Sequence, residues 1–107
     1  MPVRTTLYYT RKASHDLEDI ADYLREEAGT AIALRFLDAV DHTTDLLRVT
    51  PYIGTALASV SVRHSNVRRL PLSAPFGRWM LFYEPAPTEI RIDRVLHSAQ
   101  DWPRHFR

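Results

Sequence analysis

Leu24-Arg25-Glu26-Glu27-Ala28-Gly29-Thr30-Ala31-Ile32-Ala33 is the stretch that decides the fold of this 107-residue chain. Upstream of it, Ala13, Leu17, Ile20, Leu24 and Ala28 recur at intervals of four, three, four and four residues, the spacing of one helix face. Downstream, Ala33, Phe36, Leu37, Val40, Thr44 and Leu47 mark the inner side of a second helix. Pro51 stops that helix, because its ring blocks the preceding turn and it has no N–H to donate. Gly29 suits the left-handed backbone that ends a helix, while Thr10 can cap the first helix and Thr30 the second. So short a connection makes the two helices fold back on each other as a hairpin.

Outward from the hairpin the pattern changes to that of strands. Arg4 to Tyr9 holds threonine, leucine and tyrosine residues, which suit a pleated surface. Val67 to Leu72, Trp79 to Glu84 and Glu89 to Leu96 read as three more strands, separated by turns that contain Pro75 and Gly77, then Pro85 and Pro87. Thr50 to Asn66 loses all periodicity and reads as a long loop, a kind of segment that is often functional in compact domains. The expected fold is α+β over residues 1–107 as a single domain. It consists of an N-terminal strand, an α-helical hairpin and a three-stranded antiparallel meander, with the helices packed on one face of the sheet. The second face is then open unless something binds it, exposing either Trp79, Leu81 and Tyr83 or Met80 and Phe82. That geometry implies a partner.

Composition excludes several classes of function. The chain has no cysteine, which removes disulfides, thiolate catalysis and thiolate zinc sites, and fits a reducing compartment. No run of about 18 apolar residues occurs, and Met-Pro-Val-Arg-Thr-Thr lacks the apolar core of a signal peptide, so a cytoplasmic protein without a membrane segment is expected. The net charge is only +1, but it is unevenly spread. Residues 1–50 carry six basic and nine acidic side chains, and residues 51–107 carry eight and four. Every basic residue of the second half is arginine, a planar fork for carboxylate or phosphate rather than a tunable proton carrier.

Arg68, Arg69, Arg78, Arg91, Arg94 and His97 lie on or beside the last three strands. Converging cations and an imidazole can neutralise a pentavalent phosphate and protonate a leaving oxygen, as metal-free RNA cleavage requires. The competing reading pairs strand arginines with Glu84, Glu89 and Asp93 across the sheet. Arg94 shares the face of Ile90 and Ile92 by strict alternation. If that face is the core, Arg94 needs a carboxylate or carbonyl partner, or a bulge that turns it away. The carboxylates of Asp16, Asp19 and Asp22 read as a solvated helix face, and Trp102 and Phe106 as packing the tail onto the domain. No glycine-rich phosphate loop and no histidine pair at metal-binding spacing occurs. Neither a metal nor a cofactor is called for.

With these residues placed, the chain resembles the ParE branch of the RelE/ParE superfamily of bacterial toxins. The resemblance rests on Ala13, Asp16-Leu17, Ile20, Tyr23-Leu24, Ala33, Phe36, Pro51 and Gly54. It continues through Arg68-Arg69-Leu70, Phe82-Tyr83, Ile90, Ile92, Arg94-Val95-Leu96-His97 and Asp101-Trp102. It implies a growth-inhibiting toxin of a type II system, neutralised by a cognate antitoxin and directed at DNA gyrase. RelE-like relatives instead cleave messenger RNA on the ribosome. That alternative would make Arg68, Arg94 and His97 catalytic, whereas the ParE-like reading expects no catalytic residue. Arg68, Arg69, Arg78, Trp79, Arg91 and Trp102 are then contacts for target or antitoxin. Lysine is absent from the strands and no tyrosine follows Tyr83, which favours gyrase. Gln100 stands where ParE-like chains commonly carry arginine, so the tail is less positive.

Overall fold

The computed structural model describes residues 5–57, 66–100 and 102–106. In chain order the elements are β1 (Thr6–Tyr9), α1 (Arg11–Ala28), α2 (Thr30–Val49), β2 (Thr55–Ala56), β3 (Arg68–Pro71), β4 (Trp79–Pro85), β5 (Glu89–His97) and a 3-10 tail helix (Trp102–Phe106). The strands form one sheet in the order β1-β5-β4-β3-β2. β1 runs parallel to β5, and every other pair is antiparallel. The helical hairpin is therefore a crossover that carries the chain from one sheet edge to the other. From there the meander returns strand by strand until β5 slots in beside β1.

The helix boundaries follow from local chemistry. Thr10 caps α1 by accepting the Ala13 N–H on its Oγ1 at 3.1 Å, and its hydroxyl also donates to the Asp93 carbonyl at 2.9 Å. Gly29 ends α1 with φ +97°, a backbone angle that side chains disfavour. Its N–H closes the last turn on Arg25. Gly29, not Thr30, is also the N-cap of α2, and that cap has no side-chain hydrogen bond. Thr30 is already helical, because one residue suffices for the turn.

Two inner faces depart from the expected stripes. Ala28 is exposed, because the stripe of α1 leaves the sheet before the turn. Leu37 is 37% exposed, while Ala39 and Thr43 are buried in its place. A small residue and a hydroxyl carry no apolar signal, yet Thr43 donates to the Ala39 carbonyl at 2.7 Å and accepts the Ser73 N–H at 3.0 Å. That pair fastens α2 to the turn before β4. The expected loop Thr50–Asn66 contains β2, which lengthens the meander to four strands; residues 58–65 of that loop lie outside the described residues. Arg4, expected in the first strand, also lies outside them.

Both faces of the sheet are covered. Leu81, Tyr83, Ile90, Ile92 and Val95 pack with Ala13, Leu24, Phe36, Val40 and Leu47 of the helices. On the opposite face, Val67, Met80, Phe82 and Leu96 pack with Phe106, joined by Leu57 and Trp102. The rings of Trp102 and Phe106 stand 5.5 and 5.2 Å from that of Phe82. The expected open face is thus closed by the chain's own tail, so architecture alone does not demand a partner there. Two aromatic anchors separated by three residues were enough to cover three strand residues and Val67.

Gly54 marks the tightest contact among the described glycines. A Cβ there would lie 2.6 Å from the Tyr83 hydroxyl and 2.7 Å from the Arg69 carbonyl. Gly54→Ala is expected to cost about 1–3 kcal/mol through overpacking, and Phe106→Ala about 3–5 kcal/mol through the cavity left under Phe82. Urea unfolding followed by tryptophan fluorescence measures both, and Phe106→Ala should leave the helical content of the folded state unchanged.

Candidate functional site

The charged residues of the last strands separate into distinct sets, because β5 carries a bulge. Phe82 pairs with Arg94 and Tyr83 with Ile92, which leaves Asp93 without an opposite residue. A bulge resets the alternation of the strand after it. Ile90 and Ile92 face the helices, Asp93 and Arg94 both leave that face, and Val95 returns to it. The conflict posed by Arg94 on an apolar face is resolved in this way, and by a carboxylate as well.

That carboxylate is Asp16, which is not part of a solvated helix face. The Arg94 Nε donates to Asp16 Oδ2 at 2.8 Å and its Nη2 to Oδ1 at 2.8 Å, a two-point pair. Asp16 Oδ2 also accepts the Val95 N–H at 2.9 Å. β1 ends at Tyr9, so this part of β5 has no strand beside it and would otherwise present an unpaired edge. The third guanidinium nitrogen lies 3.0 Å from His105 Nδ1 in the tail helix. Arg94 therefore ties its own strand to two other segments at once. Its guanidinium is held above its ordinary pKa, the Asp16 bonds outweighing burial.

Arg68 is occupied elsewhere. Its Nη1 donates to the carbonyls of Tyr52 at 3.0 Å and Gly54 at 2.8 Å, and its guanidinium sits over the Tyr52 ring. It anchors the segment leading into β2. Tyr83 completes this corner by accepting the Gly54 N–H at 2.9 Å. Burial pushes the Tyr83 phenol above its ordinary pKa, against the opposite pull of Gly54 and Arg68. Arg69 stacks on Trp102 of the tail with 5.7 Å between guanidinium carbon and ring centroid. Arg91 pairs across the ladder with Glu84, as cross-strand pairing anticipated, and donates its Nε at 2.8 Å to Oδ1 of Asp93, two residues along its own strand rather than across the sheet.

His97 and Arg78 meet at the other end of the sheet. They line an open groove of about 590 Å³ together with Asp19, Ile20, Tyr23, Trp79 and Gln100. The His97 ring stands edge-on to Trp79 at 5.1 Å, and its Nδ1 accepts the Ala99 N–H at 3.0 Å. A ring held this way places its hydrogen on Nε2 when neutral. Gln100 closes the turn by accepting the His97 N–H at 2.7 Å and donating its own N–H to the His97 carbonyl at 3.0 Å. The residue that departs from the ParE-like pattern thus has a local structural role.

Arg68, Arg94 and His97 are not brought together. Arg68 pairs in register with Tyr83 of the helix-side core, whereas Arg94 pairs with Phe82 of the tail-side cluster. His97 lies opposite Trp79, at the far end of β4. Among the described residues no three histidine, aspartate or glutamate side chains form a group able to hold a metal ion, and no helix is long and apolar enough to cross a membrane. Asp16 and His105 are the site residues that periodicity missed. The one available signal was that Asp16 lies on the inner-facing half of α1, next to Leu17 and three residues after Ala13.

The model of the ParE toxin family, the toxin of the parDE type II toxin–antitoxin system, matches residues 7–102. The chain belongs to the ParE toxin family. A solved structure of the chromosomal ParDE system of P. aeruginosa resembles it with a TM-score of 0.70, over 90% of this chain and 98% of that one, at 24% identity. At that identity the likeness shows the fold: two helices against a mixed five-stranded sheet. No curated protein sequence matches. In ParE terms, the Arg94-Val95-Leu96-His97 run joins a helix-to-strand clamp to one wall of an open groove.

If Arg94 serves as that clamp, removing either partner leaves a largely buried charge, and removing Asp16 also leaves the Val95 N–H unpaired. Asp16→Ala and Arg94→Ala are each expected to cost about 3–5 kcal/mol. The double variant should cost little more than either single one. Chemical denaturation of all four proteins measures the coupling, and additive losses would show that the two side chains act independently.

Proposed function

We propose that this ParE-family toxin inhibits growth by binding DNA gyrase in the cytoplasm, without bond-making chemistry of its own, and that a cognate antitoxin bound along the domain silences it. The observation that supports this reading is the dispersal of Arg68, Arg94 and His97. Two of the three groups that RNA cleavage would need hold the fold together, one through Asp16 and the other through the carbonyls of Tyr52 and Gly54. A non-catalytic toxin needs only a surface, and the groove beside Arg78 and Trp79 offers aromatic and cationic groups to one.

The antitoxin in this reading is an acidic chain that uses helix-in-groove or strand-addition contacts. Arg78 is exposed, and Trp79 and Arg91 are part-exposed; they are its nearest cationic and aromatic contacts, with Arg68, Arg69 and Trp102 reachable only through the groups they already bind. Co-expression with the adjacent small reading frame should yield a complex that survives purification and weakens as salt rises. Recovery of the toxin alone would remove the antitoxin claim.

The target is tested separately. Purified toxin, incubated with gyrase and relaxed plasmid, should block supercoiling or trap cleaved DNA, and His97→Ala should retain that effect. Unchanged supercoiling at molar excess, together with codon-positioned cuts in translated message that disappear in His97→Ala, would move the protein to the ribosomal class.

A further inference from the structure

The two edges of the sheet differ in how they are defended against pairing with another chain. β2 is two residues long and ends one edge, and shortness is an ordinary protection of an edge strand. β1 ends the other edge with Thr6-Leu7-Tyr8-Tyr9. These four residues carry no charge, no proline and no bulge. The N–H groups of Thr6 and Thr10 donate to the carbonyls of Thr88 and Ile92, each at 3.0 Å, so the even-numbered residues turn their backbone towards β5. Backbone groups alternate sides along a strand, which leaves the N–H and C=O of Leu7 and Tyr9 pointing out of the sheet. Among the described residues these groups have no backbone partner. Side chains alternate as well: Leu7 and Tyr9 are part-buried against the helix-side core, and Tyr8, on the other side, is 40% exposed.

We infer that β1 is the interface of a symmetric dimer, in which the strand pairs antiparallel with β1 of a second copy of this chain about a two-fold axis through Tyr8. Residues opposite each other in an antiparallel pair share a face. Leu7 and Tyr9 must therefore meet Leu7 or Tyr9 of the second copy if both helical hairpins are to cover the same side, since a slip of one residue exchanges the faces. Within the strand, only the register centred on Tyr8 satisfies both outward-facing residues. It sets Leu7 opposite Tyr9 and Tyr9 opposite Leu7, each pair exchanging two N–H···O=C bonds. Tyr8 then meets Tyr8 in the intervening pair, where Cα atoms stand about 4.5 Å apart and aromatic side chains interact favourably.

The choice of a second copy rests on closure. A strand from a different protein would fill the same bonds but present a new edge of its own. Two copies joined through β1 form one continuous sheet whose outer edges are both the short β2, and an isologous contact of this kind cannot grow further. The strand is uncharged, so it brings no like charges together on meeting itself. β1 pairs with residues 89–92 of β5, away from His97, and the dimer leaves the groove at Arg78 and Trp79 free.

Sedimentation velocity of the purified full chain at micromolar concentrations should show a dimer. Tyr8→Lys and Tyr8→Glu each set two like charges across the axis and should weaken self-association by about tenfold or more. Circular dichroism should not change, because Tyr8 is exposed in the single chain. Mixed in equal amounts, the two variants should associate again, each lysine facing a glutamate. A wild-type chain that stays monomeric would overturn the proposal, as would variants that associate as wild type does, because the interface would then lie elsewhere. Folded variants that fail to recombine would overturn the axis through Tyr8. A monomeric wild type whose antitoxin binding is weakened by Tyr8→Lys would give the edge to an antitoxin strand instead. Amide hydrogen exchange reads the same claim without substitution. In the wild-type dimer the Leu7 and Tyr9 amides should be protected like that of Thr10, which is bonded inside the sheet, and fast exchange at both would overturn the pairing.

Discussion

The Asp16 carboxylate accepts three hydrogen bonds, two from Arg94 and one from the Val95 backbone, and through them α1 is fixed to the strand that β1 leaves uncovered. Arg94 can reach Asp16 only because the bulge at Asp93 turns it off the core face, and Thr10 steadies the bulge by bonding the Asp93 carbonyl. The remaining guanidinium nitrogen meets His105, which orients the tail helix over Phe82. One ion pair thus links the start of the helical hairpin, the second-last element and the tail. Its geometry, planar and two-pointed, explains why an arginine stands there: a lysine could supply charge but not the fork.

The two faces of the sheet are closed by different means. The helical hairpin brings a broad apolar surface, and Phe36 adds edge-on contacts to Phe76 and Trp79 at 5.6 and 5.7 Å. The tail brings only two rings, so the other face relies more on charge: Arg69 over Trp102, Arg94 beside His105, and Arg91 between Glu84 and Asp93. The placement of Arg69, Arg91 and Arg94 follows from this division. Guanidinium planes cover aromatic rings and cap carboxylates where the chain has too little apolar surface to seal a second core. These three arginines are structural before they are a recognition surface.

Most of the architecture was legible because it rests on local rules. Thr10 is a cap, Gly29 takes the positive φ that ends a helix, and the apolar spacing of Ala13, Leu17, Ile20 and Leu24 marks the buried stripe. The meander follows from strand residues broken by proline. What was not legible depends on contacts between distant residues. Leu37 and Ala39 exchange places relative to hydropathy, because α2 approaches the turn at Ser73 through Thr43. Asp16 looked like one of several surface acids, and only its meeting with a residue 78 positions away distinguishes it. The same holds for the site. Each arginine was visible as a candidate, but periodicity does not reveal a bulge, and without the bulge Arg94 would share the face of Tyr83, with which Arg68 pairs. The open second face was misjudged for a related reason: Trp102 and Phe106 were legible as packing residues, but not as the lid of a whole cluster.

The placement of β5 has a consequence for how this chain comes to be folded. Although β5 follows the other strands in sequence, it sits between β1 and β4, so neither neighbour can be completed until residues 89–97 have been synthesised. Before then α1 lacks Arg94, β1 lacks any partner, and the core lacks Ile90, Ile92 and Val95. Non-local closure of this kind is slow, since the entropy of joining distant segments must be met before their contacts repay it. The sheet of a nascent chain therefore cannot close until its last strand has emerged, and until then the helical hairpin has no β5 to cover.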